Sequence, residues 1–276
     1  MSMSMSMGMT LNNTQLLQIC REVCAIARNT GGFIRQEVNN LNQNQIESKS
    51  LHNLVTYVDK KAEIQLVGLL QELMPQAGFI VEENTVKKRE GEYQWVVDPL
   101  DGTTNFVHRV PIFSVSIALM HNHEVVLGVV YEINRDECFW AIKDGGAFLN
   151  HNPIKVSETP FISDSLLATG FPYYDYSRLN QYMELFTWCL RNSRGVRRLG
   201  SAAVDLAYVA CGRFDGFFEY SLSPWDVAAG SLLVREAGGL VTDFRGQNNF
   251  VMGREIMATN AKITKELFEK VSKAFI

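Results

Sequence analysis

Trp95-Val96-Val97-Asp98-Pro99-Leu100-Asp101-Gly102-Thr103-Thr104-Asn105-Phe106 is the stretch that decides how this chain is read. An apolar run with the character of a buried strand ends on Asp98, and a second carboxylate follows at Asp101. Pro99 fixes its own φ and restricts the conformation of Asp98 before it. Gly102 permits a tight approach that a bulkier residue would forbid. Thr103, Thr104 and Asn105 suit a helix N-terminus, whose free N–H groups bind an oxyanion such as phosphate. The segment thus places hard oxygen ligands for a divalent cation beside a phosphate cradle. Each dipeptide alone is an ordinary Asp-Pro or Asp-Gly turn with a Thr cap; their joint occurrence at the end of an apolar strand favours chemistry.

Working outward, two further acidic sites share this setting. Glu82-Glu83 follows the apolar run Phe79-Ile80-Val81, and Trp225-Asp226 opens a helix at Val227. A solvated acidic loop accounts for the first and an Asp N-cap for the second. All three acidic sites nevertheless lie at strand-to-helix or strand-to-loop boundaries, where ligands collect in open α/β sheets. An aspartyl-phosphate mechanism uses the D-x-D-x-T spacing, whereas Asp98 and Asp101 stand at i, i+3 with Pro between them, so a covalent phosphoenzyme is disfavoured.

The rest of the chain reads as alternating helices and strands. Leu16, Cys20, Val23 and Ala27 have helical spacing over 14–38, with Gly31-Gly32 expected to bend or interrupt the helix. Residues 54–58 are strand-like, and a helix from about Lys60 to Met74 is stopped by Pro75. Phe113, Val115, Ile117 and Leu119 alternate with small residues as a half-buried strand. His121 to Glu124 turns the chain into Val125–Tyr131, and strands at 138–142 and 147–149 are joined by Asp144-Gly145-Gly146. Helices follow at 180–191, 202–210, 227–237 and 261–275, with strands at 216–220, 240–243 and 255–259. No repeat period is present, and a soft seam falls near 150–165, so the reading is a mixed α/β layered architecture. It gives a flexible Met-Ser tail over 1–13 and a single unit over 14–276, with lobes of about 14–155 and 156–276.

Composition narrows the function classes. The chain has 276 residues, about two domains by length or one large α/β unit, and enough to bury a core without disulfides. With 26 Lys plus Arg against 30 Asp plus Glu, the net charge of -4 argues against a polyanion binder, so nucleic acid is not the expected partner. No apolar run approaches the ~20 residues that span a bilayer, and no secretory signal is read at the N-terminus. The five scattered cysteines suggest reduced thiols and a cytoplasmic location. Cys20 and Cys24, at i, i+4, read as core packing rather than half of a zinc site. His121 and His123 read as turn residues. Arg197-Arg198 fit either a dimer contact or a brace for the Gly200 loop, and Tyr173-Tyr174-Asp175-Tyr176 an exposed loop.

Taken together, Val81-Glu82-Glu83, the stretch from Trp95 through Arg109, Leu199-Gly200-Ser201-Ala202-Ala203 and Pro224-Trp225-Asp226-Val227-Ala228-Ala229-Gly230 resemble the inositol monophosphatase family over residues 14–270. The resemblance implies a five-layer αβαβα sandwich (the sugar-phosphatase fold), a homodimer, and a Mg²⁺-dependent, lithium-sensitive phosphomonoesterase. By position it implies Glu82, Asp98, the Leu100 carbonyl, Asp101 and Asp226 as metal ligands for roughly two to three Mg²⁺ ions. Gly102, Thr103 and Thr104, with Asp101, fall in the phosphate-binding turn. Thr103 and Glu82 match the pair that orients the attacking water, helped by Asp59. Gly200, Ser201, Ala202, Glu219 and Asp226 match positions that contact the substrate, and Lys49 a basic hairpin. Asn53 departs from the acid many members carry, which bears only on the weakest metal. The run Thr104-Asn105-Phe106-Val107-His108 resembles the inositol branch, so inositol monophosphate is the expected substrate. Alternatives are a nucleotide or sugar (bis)phosphate, or a regulatory role through RNA or protein.

Overall fold

The structure, a computed structural model, describes residues 10–41, 46–50, 53–85, 91–172 and 175–276. The Met-Ser run, the Lys49 and Asn53 side chains and Tyr173-Tyr174 lie outside the described residues. Helix α1 (Asn13–Glu37) is capped by Asn12, which accepts from the Gln15 amide (3.0 Å) while Gln15 accepts in return from the Asn12 amide (3.0 Å). A hairpin of β1 (Ile46–Ser50) and β2 (Asn53–Thr56) leads into α2 (Tyr57–Leu73). Tyr57 and Val58 are therefore helical, because Thr56 and Asp59 form a capping box that starts the helix earlier than the apolar pattern suggests.

The first sheet has seven strands in the order β3 (Gly78–Val81), β4 (Tyr93–Asp101), β5 (Ser114–His121), β6 (Glu124–Glu132), β7 (Glu137–Ile142), β8 (Ala147–Leu149) and β9 (Asn152–Ile154). β3 and β4 run parallel and the other pairs antiparallel. The short α3 (Thr103–Val107) follows β4. The second sheet comprises β10 (Leu166–Thr169), β11 (Gly195–Arg197), β12 (Gly216–Tyr220), β13 (Leu240–Thr242) and β14 (Glu255–Thr259), in the order β11-β10-β12-β14-β13. Between them in sequence come α4 (Leu179–Asn192), α5 (Ala202–Ala210) and α6 (Pro224–Glu236), and α7 (Thr264–Phe275) follows β14.

Three apolar clusters separate five layers. Trp95 and Val97 of β4 point to one face and pack with α1 and α2. Val96, between them, points to the other face and joins α5, α6 and the inner face of the second sheet. Phe217 and Phe218 of β12 divide the same way, Phe217 toward α5 and α6 and Phe218 toward α4 and α7. Period-two alternation in two sheets, each covered on both faces, produces the αβαβα order. Burying each such large apolar side chain is worth about 1.5–3 kcal/mol.

Two local expectations are corrected. Helix α1 runs unbroken through Gly31-Gly32. Gly31 serves close packing, since a Cβ there would overlap the Tyr131 ring on the sheet beneath. β5 is buried on both faces rather than one. Its small polar residues Ser114 and Ser116 face the central helices, where they meet Ser201 Oγ (3.3 Å) and the Trp225 carbonyl (3.1 Å). Cys20 and Cys138 are buried in the first cluster, as core packing requires.

Candidate active site

The deciding stretch forms the end of β4 and its turn into α3. In the β4–β5 ladder Asp98 pairs with Ser116 and Asp101 with Ser114, so three steps on β4 match two on β5. This bulge cancels the alternation that would send the two carboxylates to opposite faces. Pro99 sits inside it, where its missing N–H costs nothing. Gly102 then turns the chain at φ +96°, and a Cβ there would lie 3.1 Å from the Ile112 carbonyl and 3.2 Å from that of Gly200. The third acid arrives from the other side of the cleft. Asp226 is the third residue of α6, not its N-cap: Ser223 is the cap, Pro224 takes the first turn, and the Ser223 amide donates to Asp226 Oδ2 (2.7 Å).

Carboxylate oxygens of Asp98, Asp101 and Asp226 lie within 4.8 Å of one another. Each is held by the chain: the Leu100 amide donates to Asp98 Oδ1 (3.0 Å), and Ser201 Oγ (2.6 Å) and the Ala203 amide (2.8 Å) donate to Asp101 Oδ2. Burial pushes the Asp98 carboxyl well above its ordinary range, and Glu82, Asp101 and Asp226 push it further. Burial likewise raises Asp101 to about 6, against its hydrogen bonds, and Asp226 to about 7 with Asp101 adding to the rise. Such mutual repulsion among hard oxygen donors is what a divalent cation relieves, and the donor set fits Mg²⁺.

The cleft, about 330 Å³, is lined by these acids together with Glu82, Leu100 and Glu219. Gly102, Thr103 and Thr104 line it from the turn, and Gly200, Ser201 and Ala202 from the start of α5. Asp59 stands behind Thr103. Its Oδ1 lies 2.8 Å from Thr103 Oγ1, which is also 3.0 Å from the Leu100 carbonyl, and its Oδ2 accepts from the Thr56 amide (2.8 Å) and Oγ1 (2.6 Å). Burial raises the Asp59 pKa, and these hydrogen bonds oppose the rise.

Several contributors escape a reading of the sequence. Glu63, fully buried on α2, accepts from the Glu83 amide (2.7 Å), the Thr85 amide (2.8 Å) and Thr85 Oγ1 (2.7 Å), and so shapes the loop that carries Glu82. Asn105 donates to the carbonyls of Ile112 and Leu199 (both 2.8 Å), tying the Gly200 loop to the turn after β4. Arg198 lines the cleft beside Gly200, and its charge opposes the rise at Asp101 and Glu219. His121 ends β5 stacked on Tyr93 (4.4 Å between centroids). No helix among the described residues is long and apolar enough to cross a membrane.

The model of the inositol monophosphatase family matches residues 15–275. Nus factor SuhB of Escherichia coli K12 is 40% identical over 242 residues, 87% of this chain and 91% of that protein. Inositol-1-monophosphatase of Mesorhizobium japonicum is 40% identical over 238 residues, 86% and 88% respectively. The crystal structure of extragenic suppressor protein suhB from Bartonella henselae superposes with a TM-score of 0.86 at 37% identity, covering 93% of this chain and 99% of that one.

Proposed function

Since the chain belongs to the inositol monophosphatase family, we propose that it is a Mg²⁺-dependent phosphomonoesterase that hydrolyses inositol monophosphate to inositol and phosphate. The observation that carries the reading is the convergence of Asp98, Asp101 and Asp226 at the mouth of the Gly102 turn. Magnesium ions bound there supply Lewis-acid stabilisation of charge on the phosphoryl and leaving oxygens and lower the pKa of water. Asp98, Asp101, Asp226, Glu82 and the Leu100 carbonyl hold the ions. The amides of the Gly102–Thr104 turn take phosphoryl oxygens. Asp59 fixes the Thr103 hydroxyl, and Thr103 with Glu82 orients the attacking water toward phosphorus, opposite the leaving alcohol. Glu219 and the Gly200–Ala202 segment face that alcohol. Water attacks directly, so no phosphoprotein forms. Lys49 of the β1–β2 hairpin supports the site. The enzyme works as a cytoplasmic homodimer.

A substrate panel tests the proposal: inositol 1-phosphate, fructose 1,6-bisphosphate, adenosine 3′,5′-bisphosphate and histidinol phosphate, each with Mg²⁺ and with Li⁺ added. Inositol 1-phosphate should be turned over best and Li⁺ should inhibit. Preference for another member of the panel reassigns the substrate within the family. A second reading draws on the similarity to proteins named Nus factor SuhB: a regulatory role through an RNA or protein partner. Specific capture of such a partner by the Asp98→Asn variant, in a chain whose wild type hydrolyses nothing on the panel, would favour it.

A further inference from the structure

Helix α3 is only five residues long, too short to hold its place by its own backbone, so contacts from outside must set where the turn at its start points. It buries two side chains, Asn105 and Phe106. Phe106 is the apolar anchor, edge-on to Phe113 at 5.5 Å between centroids. Asn105, 8% exposed, is the polar one. Its Nδ2 donates to two carbonyls, those of Ile112 and Leu199, each at 2.8 Å. Its own carbonyl accepts from the Val110 amide (2.8 Å) and closes the loop that returns to β5. The side-chain amide lies against Gly200, where the backbone takes φ +92° and a Cβ would come within 2.9 Å of Nδ2 and 3.1 Å of Oδ1. Gly102 approaches the same segment, since a Cβ there would lie 3.2 Å from the Gly200 carbonyl. Leu199 and Gly200 lead directly into Ser201 and Ala203, whose hydroxyl and amide hold Asp101 Oδ2 at 2.6 and 2.8 Å. One side chain thus joins the turn after β4 to the segment that fixes a carboxylate of the cluster.

We propose that Asn105 is a positioning residue for the hydrolysis: its paired hydrogen bonds fix the distance between the Gly102–Thr104 turn and the Leu199–Ala203 segment, and so the placing of the phosphoryl group against Asp101. The inference rests on the phosphomonoesterase reading and adds to it a residue that touches neither substrate nor metal. Thr103, on the same helix, bonds to Asp59 and the Leu100 carbonyl instead. Asn105 is therefore the only side chain of α3 with a hydrogen bond to the 199–203 segment among the described residues. A misplacement of about 1 Å between reacting groups costs on the order of a hundredfold in rate, whereas a substrate held by either half still binds. Loss of the Asn105 amide is therefore felt in kcat more than in KM.

The test assays the full chain in Mg²⁺ on the member of the substrate panel that it hydrolyses fastest, with Tm recorded for each variant. Asn105→Leu keeps the volume and removes both donors; it should lower kcat by about 10–100-fold with KM within about threefold. Asn105→Ser, too short to reach both carbonyls, should lower kcat in the same direction and serves where leucine does not fit. Phe106→Leu weakens the apolar anchor and leaves the amide in place, so it should lower Tm with kcat within about threefold of wild type. Asn105→Ser and Ser201→Ala act on the same segment, so in kcat/KM the double variant should fall no more than about threefold below the worse single variant. Wild-type kcat in folded Asn105→Leu or Asn105→Ser overturns the assignment. So do losses that multiply in the double variant, or a Phe106→Leu that lowers kcat as far as Asn105→Ser at an equal loss of Tm. Each of these leaves the phosphomonoesterase reading in place. A wild type that hydrolyses no member of the panel overturns both.

Discussion

Removing divalent cations should make this fold less stable as the pH rises from 5 to 8, against the usual expectation for a protein rich in paired carboxylates. Asp226 is held at about 7 and Asp101 at about 6, against an ordinary 3.8. Below about pH 4 both the folded and unfolded chains are protonated at these positions and no penalty exists. Between there and about 7 the unfolded chain has released the proton that folded Asp226 still holds, so stability falls with rising pH. For Asp226 alone, about two pH units of that window lie above pH 5, on the order of 3 kcal/mol. In a chain of this size that is roughly 6–12 °C in Tm. The assay is thermal unfolding in EDTA across pH 5–8 for wild type and Asp98→Asn, with the difference between the two isolating the cluster. The variant should be the more stable at pH 8 and the gap should close toward pH 5. Mg²⁺ at about a hundred times its Kd should add about 2.7 kcal/mol to wild type at pH 8, and less at pH 5, where protons compete. A difference that widens toward low pH, or equal stabilisation by Mg²⁺ at both ends, would show that these carboxyls do not hold protons in the folded state.

Other perturbations probe the parts separately. Gly102→Ala places a Cβ 3.1 Å from the Ile112 carbonyl at φ +96°, so it should cost about 1–3 kcal/mol and reduce phosphate release; wild-type values of both would contradict the turn's role. Glu63→Leu removes the acceptor of three hydrogen bonds from the 83–85 loop and should lower Mg²⁺ affinity, read by titration calorimetry, while Glu63→Gln should recover part of it. Asp59→Ala removes the carboxylate half of the α2 capping box and frees Thr103, for about 1–2 kcal/mol in denaturant unfolding together with a fall in kcat. Glu219→Gln should shift the order of substrates on the panel with little change in Tm; an unchanged order would remove Glu219 from the alcohol pocket.

What could be read from the sequence was what lies close along the chain. Asp98, Pro99, Asp101 and Gly102 fall within five residues of one another, so their turn is written locally, and α5, β12 and β14 are found with the bounds their apolar patterns give. Glu63 looks like a polar residue on an amphipathic helix, and only the tertiary fold brings it under the 83–85 loop. Strands β10 and β11, of four and three residues, are too short to show a period; they are fixed by pairing with each other and by β10 pairing with β12. The Gly31-Gly32 pair misleads for a related reason: a glycine needed for close packing looks the same in sequence as one that breaks a helix.

On the proposed function, the acids gathered at Asp98 hold the cations on which phosphoester hydrolysis depends. Phosphate release from inositol 1-phosphate, followed across a Mg²⁺ titration for wild type and Asp98→Asn, tests it directly. Turnover should rise from nothing with Mg²⁺ in the wild type and be abolished in a variant that remains folded. Turnover independent of Mg²⁺, or a wild-type rate in Asp98→Asn, would contradict it.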